Sequence, residues 1–476
     1  MTGLTTDSSP QQIEAVSQPF LSRRWRWTAH ALLLALLLLT WGWLVWQVII
    51  PAVQANVWPY SAYWIGPRLA LEGRVHIFYA DSSVYLPEIE RLNVTADLLE
   101  VNPPTTLLLF LPLGLLPIGE AFRVWTVISL ACFAVGWLAL LRAVRLPIWV
   151  GLLLTAGVPL FVPLTENIRG QAYHVLFALV ALSAAYGENA FARGPGAVEG
   201  GRRGQVIGGV LLGLATALKL YYGLVLALPA IVRRQWSLLV SAGFVIGVAA
   251  LATVLGWGTD IWESAIYLSL TWRGRPETVH TAYQTTHSLL GRLFRYDAQW
   301  SPGPVANLPW LAESSWWLIT LCSLGVSVLA LWRSRNWDAT RSPGWSLLAP
   351  CVMAPLASAL APIGESYHYA LCLFPIVVLT AILYEAWRSH ASAKGRRRLP
   401  GHLVALSIGL VLALVLLGAP WQYNVARADG WANLMHYPRL YGALVLWLLM
   451  VVLLLRPGFI GSVEKAPTRI ATGSAP

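Results

Sequence analysis

Long apolar runs recur along almost the whole chain, and they restrict its fold more than any other feature of the sequence. A helix needs about 20 apolar residues to cross the ~30 Å hydrocarbon core of a bilayer. Runs of this kind begin at residue 29 and recur up to residue 456. With 57% hydrophobic and only 12% charged residues, the chain is too apolar for an ordinary water-soluble domain. We therefore predict an all-α polytopic membrane protein.

The apolar runs predict about 12 transmembrane helices, with both ends of the chain on one side of the membrane. The first run follows the basic segment SRRWRW and is too long for the apolar part of a secretory signal, so we interpret it as an uncleaved anchor. The predicted spans cover residues 29–50, 121–141, 146–163, 171–187, 206–219, 220–232, 236–257, 313–332, 345–361, 369–387, 402–420 and 438–456.

Basic residues collect in the short segments that join alternate spans, which places those segments in the cytoplasm by the positive-inside rule. Residues 1–28 and 457–476 then form cytoplasmic tails, and 29–456 forms a single membrane domain. Two long segments, 51–120 and 258–312, lie on the outer side. The net charge of +11 thus reflects topology and contact with anionic membrane lipids, and it gives no reason to expect a nucleic-acid partner. We expect a multi-pass protein of the plasma membrane.

A single lysine, Lys219, interrupts the otherwise uncharged stretch 206–232, which basic pairs flank at 202–203 and 233–234. One crossing would leave one basic pair outside, so we predict two short helices that meet at Lys219 and return the chain to the cytoplasmic side. A charge at mid-bilayer depth costs at least ~2.5 kcal/mol unless it faces water or a partner. We expect Lys219 at the floor of an outward-facing cavity, facing an anionic ligand. The alternative is a lysine that snorkels or faces a neighbouring helix.

The outer segments hold the polar residues that would suit a phosphate and supply a base. A run at 105–117, broken by Pro112 and Pro117, is too short to span and predicts a helix lying in the membrane interface. Arginine gives a phosphate paired donors, lysine a point charge, and nearby carboxylates can supply a base. The cationic candidates are Arg169, Lys219, Arg292, His287 and His368. In the alternative interpretations, Arg169 pairs with Glu166, and His368 belongs to an interfacial aromatic belt.

The cysteines and the acidic residues give no sign of a metal centre. All four cysteines lie inside apolar runs, where small buried hydrophobic residues are expected, so we predict neither a disulfide nor a metal site. No spacing of histidines and carboxylates looks like a metal-binding motif. The sequence therefore predicts no cofactor, and it leaves open whether a divalent cation assists phosphate binding.

Several motifs occur in order over roughly residues 55–380, and they read YWIGPRLALEG, NPPTTLLLFLPLGLLP, ENIRGQ, GLATALKLYYG with RRQW, YQTTHSLLGRL and GESYHYALCLFP. Their order and spacing resemble glycosyltransferase family 87, also called DUF2029. Members of this family include polyprenyl-phosphate-mannose-dependent α-1,2-mannosyltransferases of the GT-C class. The resemblance implies a GT-C fold, an active site on the extracytoplasmic face, and inverting transfer of a hexose, most often mannose. The implied donor is a polyprenyl-phosphate sugar, and the implied acceptor is a glycan or glycolipid.

The same resemblance suggests roles for individual residues. Lys219 and Gln171 match positions at which we place the lipid phosphate and the sugar, and His368 matches a histidine that orients the phosphate or the acceptor. Asn167 in ENIRGQ and Tyr63 in the first motif join them as substrate-binding candidates.

The catalytic base is where this chain departs from the family pattern. Family members usually carry an aspartate shortly after the first span, in a D-F-x-x-Y pattern, and this aspartate is taken as the base. Here the comparable stretch reads WPYSAYW, with Pro59 at the acidic position. Asp81 in FYAD and Glu365 near His368 are the candidate replacements.

Two other classes of function compete with a transferase. A transporter or flippase for a lipid-linked or anionic solute would also use a buried lysine between broken helices. Transporters commonly contain internal repeats, and the two halves of this sequence show none, while the long aromatic outer segments favour an enzyme. The missing aspartate also allows a non-catalytic binder of lipid-linked sugars.

Overall fold

The computed structural model describes residues 23–54, 58–95, 102–191, 201–335, 343–392, 400–421 and 430–456. Within these ranges the chain forms helices and no β-strand, apart from an isolated bridge between Asp297 and Ser301. The prediction of an all-α protein is therefore confirmed. The stretch that contains Pro59 begins helix α3, while the predicted tails at 457–476 and most of 1–28 lie outside the described residues.

Twenty α-helices make up the described chain. The first ten are α1 (Arg23–Leu44), α2 (Ile50–Gln54), α3 (Trp58–Leu71), α4 (Ser82–Arg91), α5 (Pro104–Gly114), α6 (Ile118–Val144), α7 (Ile148–Gly157), α8 (Val162–Asn167), α9 (Tyr173–Gly187) and α10 (Gly201–Leu218). The others are α11 (Leu220–Val232), α12 (Trp236–Trp257), α13 (Asp260–Trp272), α14 (Thr286–Phe294), α15 (Pro309–Ser334), α16 (Pro343–Cys351), α17 (Met353–Ala359), α18 (Leu373–Ser392), α19 (Gly401–Gly418) and α20 (Pro438–Leu455). Short 3₁₀-helices include Val75–Tyr79, Pro276–Val279, Ser366–Cys372 and Gly430–His436.

Seven helical segments of the described chain are long and apolar enough to cross a membrane. They are His30–Gln54, Ile118–Val144, Trp236–Trp257, Pro309–Ser334, Ser366–Ala391, Gly401–Gly418 and Pro438–Leu455, and each coincides with a predicted span. The total of about 12 crossings is not confirmed, because the helices at four other predicted spans are shorter: Ile148–Leu160, Tyr173–Gly187, Leu220–Val232 and Gly344–Ala359. A multi-pass membrane protein is the conclusion that these lengths support.

The chain breaks at Lys219, between α10 and α11. Lys219 has an extended backbone, with φ −145° and ψ 90°. Beyond the break, Gly223 lies so close to Thr216 that a Cβ on Gly223 would be 2.4 Å from the Thr216 Cα. Residues seven apart in a straight helix are separated by about 10 Å along the axis. The two helices therefore fold back on each other, as the sequence predicts.

The free ends of this helical hairpin lie beside the same end of α9. A Cβ on Gly204, near the start of α10, would be 2.6 Å from the Tyr186 carbonyl oxygen. Arg233, which follows α11, pairs with Glu188 at 2.5 Å between Nη1 and Oε1. Tyr186 and Glu188 are both at the C-terminal end of α9, so the chain returns to the side from which α10 started.

Glycines bring α10 very close to its neighbours. A Cβ on Gly209 would be 2.2 Å from the Leu238 carbonyl oxygen of α12, and one on Gly208 would be 2.7 Å from the Ser183 carbonyl oxygen of α9. Small residues allow such close helix packing where water does not drive association. This packing fixes α10 in place, and therefore the position of the break at its end.

Helix α5 contains most of the run predicted to lie in the membrane interface. Its first residues, Pro104–Leu107, are buried, and α5 packs mainly against α3 while also contacting α10 and α12. Leu109 and Leu115 remain exposed on its outer side. The N-terminal half of α5 is thus part of the protein interior, and an interfacial position for its exposed side stays a prediction.

Candidate functional site

The N-terminus of α5 supports the break at Lys219. A helix that ends inside a protein leaves its last carbonyl groups without partners in the helix. Here the Thr105 hydroxyl donates to the Ala217 carbonyl oxygen at 2.7 Å, and the Thr106 hydroxyl donates to the Leu218 carbonyl oxygen at 2.7 Å. All four residues are buried. The two threonines therefore satisfy the end of α10 and fix the backbone that carries Lys219.

The Lys219 amine is surrounded by an amide and two aromatic rings. Its Nζ donates to the Asn102 side-chain oxygen at 2.6 Å. It also lies 5.2 Å from the ring centroid of Tyr63 and 5.7 Å from that of Tyr173. Amide dipoles and ring faces stabilise a cation without neutralising it. Lys219 itself is half-buried, so its amine lies at the helix break among these polar and aromatic groups.

Gln171 and Asn167 join this group through the loop before α9. The Tyr63 hydroxyl donates to the Gln171 side-chain oxygen at 3.0 Å, and both residues are buried. The Asn167 amide donates to the Tyr367 carbonyl oxygen at 3.0 Å, and its oxygen accepts from the Tyr173 backbone N–H at 3.3 Å. Asn167 therefore orients the backbone on both sides of the site.

His368 lies next to the aromatic residues around Lys219. Its ring centroid is 4.5 Å from that of Tyr173, which also contacts Lys219, and 4.6 Å from that of Tyr367. The His368 Nδ1 is 3.1 Å from the Glu365 carbonyl oxygen. Because a carbonyl oxygen only accepts hydrogen bonds, we assign the proton to Nδ1, which leaves Nε2 of the neutral ring as an acceptor.

The two candidate replacements for the family's base are close in sequence to residues of this group. Asp81 is exposed and precedes α4, two residues after Tyr79, whose hydroxyl donates to the Asn102 carbonyl oxygen at 2.6 Å. Glu365 is half-buried, and its carbonyl oxygen accepts from His368. Each acid thus comes close in sequence to a residue that contacts the site.

A third carboxylate, Glu166, becomes a candidate base only in the tertiary structure. Its side chain accepts a hydrogen bond from the Ser366 hydroxyl, although 200 residues separate the two in sequence. Burial raises the pKa of the Glu166 carboxyl, and the guanidinium groups of Arg439 and Arg169 oppose that rise. The sequence suggested Glu166 only as a partner for Arg169, which is exposed.

His287 and Arg292, which lie in the 258–312 segment, contact groups other than Lys219. The buried Arg292 donates from Nε to the Asn433 side-chain oxygen at 2.6 Å, and from Nη1 to the Trp300 carbonyl oxygen at 2.7 Å. His287 lies 3.9 Å from Glu313, between Nε2 and Oε2. The expectation that both would join Lys219 in one phosphate site therefore has no support from these contacts.

The arrangement can bind an oxyanion at Lys219, it offers a hydrogen-bond acceptor at His368 Nε2, and a carboxylate such as Glu166 can accept a proton. Within the described ranges, no group of three or more His, Cys, Asp and Glu side chains could hold a metal ion. Electrostatic binding of an anion and proton transfer to a carboxylate are the chemistry that these side chains offer.

A comparison with known families agrees with this chemistry. The model of glycosyltransferase family 87 matches residues 101–359, more than half of the 476 residues. The chain belongs to glycosyltransferase family 87. The resemblance seen in the sequence is thus confirmed, and membership indicates a membrane glycosyltransferase. No curated protein and no solved structure matches the chain significantly. The matched range includes Asn102, Thr105, Thr106 and Lys219, while His368 lies beyond it.

Proposed function

We propose that this family 87 protein transfers a hexose, with mannose favoured, from polyprenyl phosphate to an extracytoplasmic glycan or glycolipid. The observation that carries the proposal is Lys219, a charged amine at a helix break that is contacted by Asn102, Tyr63 and Tyr173. Lysine binds phosphate as a compact point charge. A lipid phosphate is both the headgroup of such a donor and its leaving group.

The proposed reaction inverts the configuration at the anomeric carbon. A base removes the acceptor hydroxyl proton, the hydroxyl oxygen bonds to that carbon, and the bond from carbon to phosphate oxygen breaks. Lys219 stabilises the charge that develops on the departing polyprenyl phosphate. Gln171, Asn167 and Tyr63 hold the sugar or the residues that contact it. His368 presents Nε2 to the acceptor hydroxyl.

We propose Asp81, Glu365 and Glu166 as alternative catalytic bases. A carboxyl whose pKa is raised toward neutrality is a better base at physiological pH, and burial has this effect on Glu166. Arg169 is exposed near Glu166 and would meet a phosphate or a sugar entering the site. His287 and Arg292 would shape the outer segment over it.

The proposal also includes a GT-C-like arrangement, about 12 crossings and a plasma-membrane location. The hairpin at Lys219 supports an outward-facing site, because a helix pair that enters and leaves the membrane on one side presents its break toward the other side. We infer that the site opens to the extracytoplasmic face. Cysteines placed at Leu220 and Tyr221, both exposed, would be labelled by membrane-impermeant reagents from outside whole cells.

The test is transfer of radiolabelled hexose from polyprenyl phosphate to candidate acceptors by purified protein in lipid. We expect Lys219→Ala to raise the KM for the donor and to lower kcat, because Lys219 both binds the phosphate and stabilises its departure. His368→Ala should lower kcat. Among Asp81→Asn, Glu365→Gln and Glu166→Gln, the variant of the true base should lose at least about 100-fold in kcat. Glu120→Gln, an exposed acid paired with Arg123, is the matched control and should keep activity.

Failure of the proposal has a defined signature. If wild-type protein releases sugar from no donor but moves an anionic solute across vesicles, the protein is a transporter. If it binds polyprenyl-phosphate hexose without transfer to any acceptor, it is a binding protein.

A further inference from the structure

A second group of charged and aromatic side chains lies at the start of α15, outside the site around Lys219. Arg273 follows α13, Arg295 follows α14, and His287 is in the first turn of α14. Glu313 and Trp316 are in the first two turns of α15. These five residues, named here the α15 cluster, lie in α14 and α15 or directly after α13 and α14, and α14 packs against α15 at one end of a candidate membrane span.

The α15 cluster carries a net positive charge. Arg273 Nη2 is 2.6 Å from Glu313 Oε1, and Arg295 Nη2 is 3.3 Å from Glu313 Oε2, so two guanidinium groups share one carboxylate. Burial, then the charges of Arg295 and Arg273, lowers the pKa of His287 to about 3. The imidazole is therefore neutral at physiological pH and offers one donor and one acceptor.

Buried polar atoms of the α15 cluster have no hydrogen-bond partner among the residues that the structure describes. His287 is 3% exposed and Trp316 is 5% exposed. The atoms without a hydrogen bond are both ring nitrogens of His287, Trp316 Nε1, Arg295 Nε and Glu313 Oε1, the last of which forms an ion pair with Arg273. The rings of His287 and Trp316 lie 5.5 Å apart, so these atoms belong to one place. Buried donors without partners are unusual and indicate an absent ligand or water.

The surroundings of the α15 cluster are apolar and exposed. Tyr267 and Leu270 of α13 are 70% and 73% exposed, and Leu318 of α15 is 63% exposed. Arg273 lies over the Trp316 ring at 5.0 Å and over the exposed Trp317 ring at 5.5 Å. Cations and tryptophans at the end of a span are typical of the depth at which lipid head groups lie.

We propose that the α15 cluster binds the phosphate of a phospholipid head group from the surrounding leaflet. Arg273 and Arg295 supply charge-assisted donors, and Arg295 Nε and the buried indole N–H supply further donors to phosphate oxygens. The acyl chains lie along the exposed apolar surfaces of α13 and α15. Glu313 bridges the two arginines and competes with the phosphate for them. The α15 cluster shares only His287 with the residues that the proposed function uses, and none with the group around Lys219.

The experiment is native mass spectrometry of the full-length protein released from nanodiscs that contain phosphatidylglycerol and phosphatidylcholine. Wild-type protein is expected to retain phosphatidylglycerol. Arg273→Gln combined with Arg295→Gln should reduce retention at least about tenfold, as loss of charge-assisted hydrogen bonds predicts. Arg123→Gln is the matched control, because Arg123 also pairs with an acid in the first turns of a span but is 59% exposed there.

A second variant separates binding from folding. Glu313→Gln removes the competing carboxylate and should increase phosphatidylglycerol retention, whereas a purely structural role would make it resemble the arginine variants. Equal retention by wild type, the double arginine variant and Arg123→Gln would overturn the proposal. So would loss of retention in Glu313→Gln. Displacement of phosphatidylglycerol by an equal amount of polyprenyl phosphate would assign the cluster to the donor, which also contradicts a phospholipid site.

Discussion

Replacing Thr105 and Thr106 by valine should destabilise the helix break measurably. Valine keeps the shape of threonine and removes only the hydroxyl, so the carbonyl groups of Ala217 and Leu218 each lose a hydrogen bond. A buried carbonyl left unsatisfied costs about 1–3 kcal/mol, although side-chain hydrogen bonds in membrane proteins average only ~0.6 kcal/mol in double-mutant cycles. For two such bonds we expect a loss of roughly 1–4 kcal/mol in the free energy of unfolding.

The assay is unfolding by SDS in mixed micelles, followed by the fluorescence of the 25 tryptophans. The matched control is Thr126→Val in α6, a buried threonine whose hydroxyl donates to Phe122 of its own helix. The Phe122 carbonyl lies within the helix and keeps its backbone hydrogen bond. Loss of the Thr126 hydroxyl should therefore lower the free energy of unfolding by only a few tenths of a kcal/mol. Serine at 105 and 106 keeps both hydroxyls and should restore stability.

The same double variant should also impair donor binding, because the threonines fix the backbone at Lys219. We expect a higher KM for the polyprenyl-phosphate sugar, with a smaller effect in the serine variant. If the double valine variant unfolds at the same SDS fraction as Thr126→Val, and binds donor as wild type does, the bonds at the break contribute nothing and the reasoning is wrong.

Three further predictions concern the hairpin and the 258–312 segment. Gly223→Ala places a Cβ 2.4 Å from the Thr216 Cα and should cost about 1–3 kcal/mol of unfolding free energy. Gly243→Ala, with open space around it, should be neutral or stabilising, and equal effects of the two substitutions would contradict the hairpin packing. Arg292→Met should cost about 2–4 kcal/mol in the same assay, because it leaves a buried acceptor on Asn433 and a half-buried one on Trp300 unpaired. A change below 0.5 kcal/mol, on the order of a surface substitution, would count against that role. The pKa of His287 is lowered from 6.5 to about 3, so the unfolded chain binds a proton at this histidine before the folded protein does as pH falls. The free energy of unfolding should therefore decline from pH 6.5 toward pH 3, and His287→Phe should flatten this decline. A wild-type profile no steeper than that of the variant would refute this prediction.

The helical elements could be predicted because their signal is local. Each apolar run is long enough to indicate by itself a helix removed from water, and the seven candidate spans all coincide with predicted spans. The break at Lys219 could also be predicted, since one charge at the centre of an apolar run with basic residues at both ends conflicts with a single crossing. The motif order around it was enough to indicate the family.

The partners of the site residues could not be predicted in the same way. Nothing in the motif NPPTT indicates that Asn102 contacts the Lys219 amine, 117 residues away, or that Thr105 and Thr106 cap the end of α10. The one signal of a functional role was that these polar residues come directly before an apolar run. His287 and Arg292 have the residue types for a phosphate site, but α14 directs them to Glu313 and Asn433. Glu166 was linked to its neighbour Arg169, while folding brings it to Ser366.

The sequence by itself thus determined that the chain is a helical membrane protein, where its apolar helices lie, where one of them breaks, and to which family it belongs. Each of these conclusions depends on hydrophobicity and charge summed over neighbouring residues, and every short segment of the sequence already contains that information. Only the tertiary structure decided which groups surround Lys219 and which belong to the α15 cluster. Hydrogen bonds and ion pairs act over about 3 Å and depend on direction, so a partner is set by how helices far apart in sequence pack together.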